Sequence, residues 1–233
     1  ENGFSFSILD TNTNKYLVLQ SYKLSSRNFK DVGEQISLLI EEIGILKNHF
    51  KSVTCAIAHN KFTLVPTALF DEEKKESLFG FNHPVESEEK IYSDTLRNLE
   101  AKNIFTISRN FESAFRKNFV NAHFIHNSTS YIEGLLIQNK NNSSKKVFAN
   151  FHSTYFEVVI LDGREMLFNN AFQYKAADDI AYYILFVYEQ LHLNPEEIEL
   201  VLSGEIQKTV KEHALLYNYI RNVKFASLPD GFK

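Results

Sequence analysis

Asp10 is the residue whose type and position most favour chemistry in this chain. It ends an alternating apolar and polar segment, residues 4–10, and a polar corner follows at residues 11–14. A carboxylate at the end of a strand could hold the magnesium ion of a phosphate-handling enzyme, or serve as the first acid of a metal-dependent nuclease. Aspartate is also common in turns, where its side chain bonds the backbone of its own turn. We favour the turn interpretation.

Other acids and histidines give weaker signals. A metal-dependent nuclease needs further acids that converge on two metal ions; Glu157 and Asp178 could be nominated, but no spacing rule selects them. His123 and His126 have the spacing of a ligand pair on a helix, whereas a strand sends them to opposite faces. No cysteine or third clustered ligand accompanies them, so we predict no metal site. His152 follows a strand, and we interpret it as a surface residue.

Motifs of nucleophilic and phosphate-binding enzymes are missing from the sequence. Neither G-x-G-x-x-G nor G-x-x-x-x-G-K-[ST] occurs, and the segment 128–130 (Ser-Thr-Ser) lacks the glycines of a nucleophile elbow. Ser130 and Glu133 instead fit a capping box that opens a helix through Ile137. The single cysteine, Cys55, lies in a short alternating strand without a basic neighbour, and we interpret it as a small buried hydrophobe.

The composition describes a folded globular chain and argues against several classes of protein. Hydrophobic residues make up 44% and charged residues 23% of the 233 residues, which are ordinary values. The net charge is -4 and the basic residues are spread along the chain, so we expect no nucleic-acid partner. One cysteine permits no internal disulfide. No run of about 18 apolar residues occurs, so we predict no membrane span and expect a cytoplasmic protein.

Hydrophobic periodicity predicts strands that alternate with helices, which implies crossover connections and a partly parallel sheet. The predicted strands are 4–10, 15–24, 53–58, 61–65, 91–96, 103–108, 122–125, 146–151, 154–161, 164–174, 198–202 and 223–226. The predicted helices are 36–46, 71–79, 111–119, 130–137, 180–191 and 206–217. Asp162-Gly163 gives the strongest hairpin signal. The polar stretch 139–146 is the best candidate boundary between two halves.

The predicted elements repeat one order twice along the chain: a hairpin or meander, then helix, strand, helix and strand. This order resembles the actin-like ATPase fold of sugar kinases, Hsp70 and actin. More narrowly, the strand and Val-Pro turn at 62–70 are similar to a bacterial family of unknown function with that fold. The same segment is distantly similar to actin-like pilus-assembly and type II secretion proteins. The resemblance implies an α/β protein with duplicated ribonuclease-H-like halves around a cleft, mixed sheets and helices on both faces. The halves would be 1–126 and 127–233, with a boundary as late as residue 146.

The resemblance also assigns three nucleotide-binding loops to this chain, each with only a partial match. The first loop joins an aspartate to a glycine two residues on, and the glycine is replaced here by asparagine. The second loop, normally Asp-x-Gly followed by threonine, falls on 150–154 without the acid or the glycine. The adenosine loop keeps one glycine of a pair. The five candidate nucleotide-binding residues are Asp10, Asn12, Ser153, Thr154 and Gly204.

We therefore expect an actin-like scaffold or partner-binding module with degenerate catalytic loops and an unidentified protein partner. Glycine lets backbone approach a phosphate closely, so its replacement in these loops disfavours efficient ATP hydrolysis. The alternative is a divergent ATPase or kinase that binds ATP and Mg²⁺ in the cleft between the halves, with Asp10 as its catalytic acid. A third, weaker possibility is a metal-dependent nuclease.

Overall fold

The computed structural model describes residues 3–24, 29–206 and 211–227, in which strands alternate with helices as predicted. The strands are β1 (Gly3–Asp10), β2 (Lys15–Lys23), β3 (Thr54–Ile57), β4 (Phe62–Pro66), β5 (Glu89–Leu96), β6 (Ala101–Ser108), β7 (His123–His126), β8 (Lys145–Phe151), β9 (Tyr155–Asp162), β10 (Glu165–Gln173), β11 (Glu199–Gly204) and β12 (Val223–Phe225). The helices are α1 (Phe29–Glu42), α2 (Lys75–Gly80), α3 (Arg109–Asn118), α4 (Asn127–Gln138), α5 (Ala177–Gln190) and α6 (Lys211–Tyr217). No helix in these three ranges is long and apolar enough to cross a membrane.

The later strands form one five-stranded sheet in the order β10-β9-β8-β11-β12. β8, β9 and β10 are antiparallel neighbours, whereas β11 pairs in parallel with β8 and with β12. The predicted parallel portion of the sheet is therefore confirmed. The Asp162-Gly163 hairpin is confirmed too, and Gly163 has a φ of +60°. The register places Asn150 of β8 opposite both Glu157 of β9 and Ser203 of β11.

The earlier strands are divided among three smaller sheets. β1 and β2 form an antiparallel hairpin, β3 and β7 are a parallel pair, and β4, β6 and β5 form an antiparallel sheet with β6 in the centre. Among the described residues, this part of the chain therefore has no continuous five-stranded sheet like that of the later part.

Alternate side chains of β8 and β9 enter two different apolar clusters, as the period of a strand requires. Ala149 and Val158 lie in a cluster with Ile184 of α5. Phe148 and Val159 lie in a second cluster with residues of α4, and residues of β5 and β6 also belong to it. α4 thus packs between the five-stranded sheet and the β4-β6-β5 sheet.

The start of α4 differs from the prediction, and the prediction of a capping box at Ser130 and Glu133 is wrong. The helix begins three residues earlier because the Nδ1 atom of His126 accepts a hydrogen bond from the backbone N–H of Ser128 (3.2 Å), which satisfies a free amide of the first turn. The Glu133 carboxylate instead accepts a bond from the backbone N–H of Asn98 (3.1 Å).

Three other predicted helices have different bounds. The helix predicted at 36–46 ends at Glu42, because Ile43 is extended and a short 3₁₀ helix, Gly44–Lys47, follows. The segment 71–79 begins as a 3₁₀ turn, with the Asp71 side chain accepting from a backbone N–H, before α2 starts. Ile206 lies outside any helix, residues 207–210 are outside the described part of the chain, and α6 is described from Lys211.

Candidate functional site

Asp10 lies at the tip of the β1–β2 hairpin, and its carboxylate is bonded within its own turn. Oδ1 accepts a hydrogen bond from the backbone N–H of Asn12 (2.9 Å), and Oδ2 accepts one from the Thr13 hydroxyl (2.7 Å). The bond from Thr13, followed by that from Asn12, holds the pKa of Asp10 below its ordinary value. These contacts are those that the turn interpretation predicts.

The second candidate loop forms the corner between β8 and β9. Ser153 and Thr154 are exposed there, but His152 is buried and its ring stacks on Tyr155 with centroids 4.3 Å apart. The Tyr174 hydroxyl donates to the His152 carbonyl oxygen (2.6 Å). The prediction that His152 is a surface residue is therefore wrong, because the ring of Tyr155 stacks on it.

Gly204, at the end of β11, lies directly against the end of β8. It has a φ of +81°, and a Cβ atom there would be 2.2 Å from the carbonyl oxygen of Phe151 and 2.7 Å from Oδ1 of Asn150. The Asn150 side chain is fixed in turn by a hydrogen bond from the Ser203 hydroxyl (3.1 Å). The glycine is thus required by the close approach of its own chain and by its left-handed backbone.

The five candidate residues fall in two places. Ser153, Thr154 and Gly204 lie near the carboxyl ends of β8 and β11, whose last residues are register partners. Asp10 and Asn12 lie at the hairpin tip, and in the described ranges no hydrogen bond or ion pair joins them to the other three. In this conformation the loops fit a magnesium nucleotide poorly, because both oxygens of Asp10 are used in its turn and the open side of Gly204 is filled.

A buried polar cluster at the first turn of α4 was not predicted from the sequence. Glu157, in the centre of β9, is only 1% exposed. Its carboxylate accepts hydrogen bonds from the Ser128 hydroxyl of α4 and from Nδ2 of Asn169 of β10 (2.6 Å). Burial raises the pKa of Glu157 to about 7 despite these two donors. A signal was present, since Glu157 is the one charged residue within the apolar run 155–161.

A second buried carboxylate reaches the same helix turn from another sheet. Oδ2 of Asp94, on β5, accepts from the backbone N–H of His126 (2.6 Å) and from the Thr129 hydroxyl (2.9 Å). Burial raises the pKa of Asp94 above its ordinary value. We call Asp94, His126, Ser128, Thr129 and Glu157 the polar junction. Carboxylates from β5 and β9 thus bind one helix start, where peptide dipoles favour negative charge.

The histidine of the polar junction is buried in its neutral form. Nδ1 of His126 accepts from Ser128, so Nε2 carries the proton and donates to the carbonyl oxygen of His59 (3.1 Å). His59 repeats this arrangement, accepting from the backbone of Lys61 (3.1 Å) and donating to the carbonyl oxygen of Thr106 (2.8 Å). Burial holds the pKa of His59 below, and that of His126 well below, the ordinary value.

The remaining candidates for metal or nucleophilic chemistry are separated or unreactive. His123 is exposed and His126 is buried, so β7 sends them apart as predicted. Burial raises the pKa of the Cys55 thiol to about 12, which agrees with its interpretation as a hydrophobe. Asp178 is exposed in the first turn of α5, away from the buried Glu157. Within the described ranges, no three His, Cys, Asp or Glu side chains group together as metal ligands would.

Comparison with known proteins identifies the family. Residues 1–223 match the family model described as "Protein of unknown function (DUF3822)". The chain belongs to the DUF3822 family. No curated protein matches it.

A solved structure similar to this DUF3822 chain has the actin-like ATPase fold, and a second is similar in fold at lower identity. A protein from Bacteroides thetaiotaomicron VPI-5482, with actin-like ATPase fold and unknown function, is 27% identical over 97% of this chain and 87% of that one, with a TM-score of 0.89. A chain of the PilM-PilN type IV pilus biogenesis complex is 12% identical over 97% and 85%, with a TM-score of 0.61. The predicted resemblance to the actin-like ATPase fold is confirmed.

A third structure is more distant from the DUF3822 chain. It is the cytoplasmic domain of EpsL, an inner membrane component of the type II secretion system of Vibrio cholerae. The two chains are 8% identical over 96% and 84% of their lengths, with a TM-score of 0.45.

Proposed function

We propose that this protein is an actin-like scaffold that binds a protein partner and does not hydrolyse ATP efficiently. One observation carries the proposal: the Asp10 carboxylate is bonded within its own turn through both oxygens, and the end of β8 fills the space beside the α-carbon of Gly204. A nucleotide would have to displace both sets of contacts before it could bind as it does in an active ATPase.

A partner is part of this proposal because a related architecture occurs in a complex. The PilM-PilN type IV pilus biogenesis complex contains a chain of similar fold, and its two names describe an assembly of two proteins. The similarity supports the fold, and we propose that the same architecture serves here as a surface for another protein.

We also propose two ribonuclease-H-like halves, 1–126 and 127–233, with helices on both faces of their sheets. The beginning of α4 at Asn127 supports the boundary, because the polar junction receives Asp94 from one side of that point and Glu157 from the other. The order β10-β9-β8-β11-β12 supports the second half as a complete unit. The cleft would then lie between the hairpin tip and the carboxyl ends of β8 and β11.

Phosphate release from ATP with Mg²⁺ tests the scaffold proposal directly. Wild-type protein, Asp10→Ala and Asp162→Ala should all release phosphate at the background rate. Asp162 is the control, since it is an exposed aspartate next to another hairpin turn. Steady hydrolysis that Asp10→Ala abolishes and Asp162→Ala retains would overturn the proposal.

The alternative, a divergent ATPase or kinase, is favoured by the exposure of its candidate residues. Asn12, Ser153, Thr154 and Gly204 are all accessible to solvent, so a nucleotide could reach them. A ligand that binds only the native state at a hundred times its Kd should stabilise the protein by about 2.7 kcal/mol. A rise in melting temperature with millimolar magnesium ATP, reduced by Thr154→Ala, would support this alternative. The scaffold proposal predicts no rise.

A further inference from the structure

Among the described residues, no strand lies on the outer edge of β2, whereas the corresponding strand of the larger sheet, β9, has one. β8 and β9 form an antiparallel hairpin, and β10 continues it on the outer edge of β9. β1 and β2 also form an antiparallel hairpin, but in the described ranges β2 pairs with β1 alone. The backbone groups on the outer edge of β2 are therefore available to a further strand.

One face of the β1–β2 hairpin is partly buried, and the other is exposed and carries apolar side chains among serines. Phe4 and Phe6 of β1 pack against the core of the first part of the chain, and Tyr22 of β2 stacks with Phe6 at 6.4 Å. On β2, Leu17 is 63% exposed and Leu19 is 78% exposed. A strand added beside β2 would contribute side chains next to these leucines and reduce the exposed apolar area.

Charge on β2 selects the kind of occupant. Lys15 and Lys23 stand at its two ends, the strand contains no acid, and neither lysine forms an ion pair with a described residue. A second copy of the chain would bring two more lysines to this edge without an acid on β2 to neutralise them. The register shift at Leu17 also interrupts regular pairing, so the regular stretch is 18–23.

We propose that residues 18–23 receive an extended segment of a partner protein as an added antiparallel strand. The segment has apolar residues at alternate positions and an acidic residue opposite Lys23. Main-chain hydrogen bonds supply affinity, and contacts with Leu19 and Lys23 supply specificity. The inference deepens the proposed function, because it names the surface and the chemical class of the partner.

A designed peptide provides a probe of known chemistry. The peptide Glu-Thr-Val-Thr-Leu-Thr places glutamate opposite Lys23 and leucine opposite Leu19 when it pairs antiparallel to β2. Its first control replaces the glutamate by lysine, and its second is N-methylated at alternate amides, which removes the main-chain donors. At millimolar peptide and low salt, NMR shift changes should be confined to the hairpin, and the N-methylated peptide should cause none.

Charge reversal on the protein completes the test. The glutamate peptide should bind wild-type protein roughly threefold more tightly than the lysine peptide, and Lys23→Glu should reverse that preference. Lys47→Glu, which changes an exposed lysine in another part of the chain, should leave the preference unchanged. Binding that is equal for both peptides, binding by the N-methylated peptide, or shift changes elsewhere would overturn the proposal. Concentration-dependent changes in β2 without peptide would identify a second copy as the occupant and also overturn it.

The two proposals fail in different ways. Asp10-dependent ATP hydrolysis with normal peptide binding would remove the scaffold proposal and leave the β2 edge in place. Absence of peptide binding, with ATP hydrolysis also absent, would remove the β2 edge alone.

Discussion

Replacement of Glu157 by glutamine should change how the free energy of unfolding depends on pH. The pKa of this carboxyl group is raised from 4.5 to about 7 by burial. The native protein therefore keeps a proton that the unfolded chain loses between these two values. Stability is fully present below pH 4.5, decreases as pH rises towards 7, and is then constant. Glutamine has nearly the same shape as the protonated acid and does not titrate.

The magnitude follows from the same two values. At about 1.4 kcal/mol for each pKa unit, the ionised carboxylate destabilises the native state by about 3 kcal/mol above pH 7. Glu157→Gln should thus be stabilising by less than about 1 kcal/mol at pH 5 and by up to about 3 kcal/mol at pH 8. Oε1 of Glu157 accepts both bonds, from the Ser128 hydroxyl and from Asn169, and the amide oxygen of glutamine at that position can accept both, so neither donor loses its partner.

Urea unfolding followed by circular dichroism at pH 5 and pH 8 measures this difference, and the chain has no tryptophan to follow instead. Glu165→Gln is the control, because this glutamate lies on the adjacent strand and is exposed to solvent. A variant that is more destabilised at pH 8 than at pH 5 would refute the reasoning. It would mean that the donors stabilise an ionised Glu157 by more than burial destabilises it.

Three further predictions concern buried or constrained positions. Gly204→Ala should destabilise the protein by about 2 kcal/mol or more in urea unfolding, because the added Cβ would contact β8 and the residue has a left-handed φ. Gly134→Ala is its control, since a Cβ there meets open space within α4, and it should stabilise the protein by about 0.5–1 kcal/mol. Burial raises the pKa of Glu112, but hydrogen bonds from Tyr92, Arg116 and Lys90 outweigh it and hold the pKa below its ordinary value. Glu112→Gln should therefore destabilise the protein by about 1–2 kcal/mol at pH 7. Unfolding measured at decreasing pH should show this difference shrinking below pH 4.5. The lowered pKa values of His59 and His126 mean that the native state binds fewer protons than the unfolded chain. In the Glu157→Gln variant, the free energy of unfolding should therefore decrease as pH falls below 6.5. A free energy of unfolding that is constant from pH 6.5 to 5 would contradict this.

The order of strands and helices could be predicted because it depends on local patterns. The Asp162-Gly163 turn and the alternation of β8 and β9 are readable within short windows. The self-bonded turn of Asp10 is local as well, since its partners lie two and three residues away. Both hydrogen bonds join residues of one turn, so the residue types in that turn suffice to predict them.

The polar junction could not be predicted because its contacts join residues that are distant in sequence. Ser128 and Glu157 are 29 residues apart, and Asp94 and Thr129 are 35 residues apart. The pattern near Ser130 favoured local capping, but His126 caps the helix and frees Ser128 and Thr129 to bond carboxylates on two sheets. Side-chain chemistry here depends on which strands pack against α4, which no local window contains.

The polar junction also limits the motion that a nucleotide-controlled protein of this fold would use. Opening and closing a cleft requires one packed body to move relative to another. In this protein, Asp94 and Glu157 bind the same helix turn from two sheets, and apolar residues of both sheets pack on α4. Separation of either carboxylate from its donors would leave buried polar groups without partners, at a cost of about 1–3 kcal/mol for each. The junction therefore favours one fixed arrangement of the two sheets, which suits a scaffold and is independent of the loop residues.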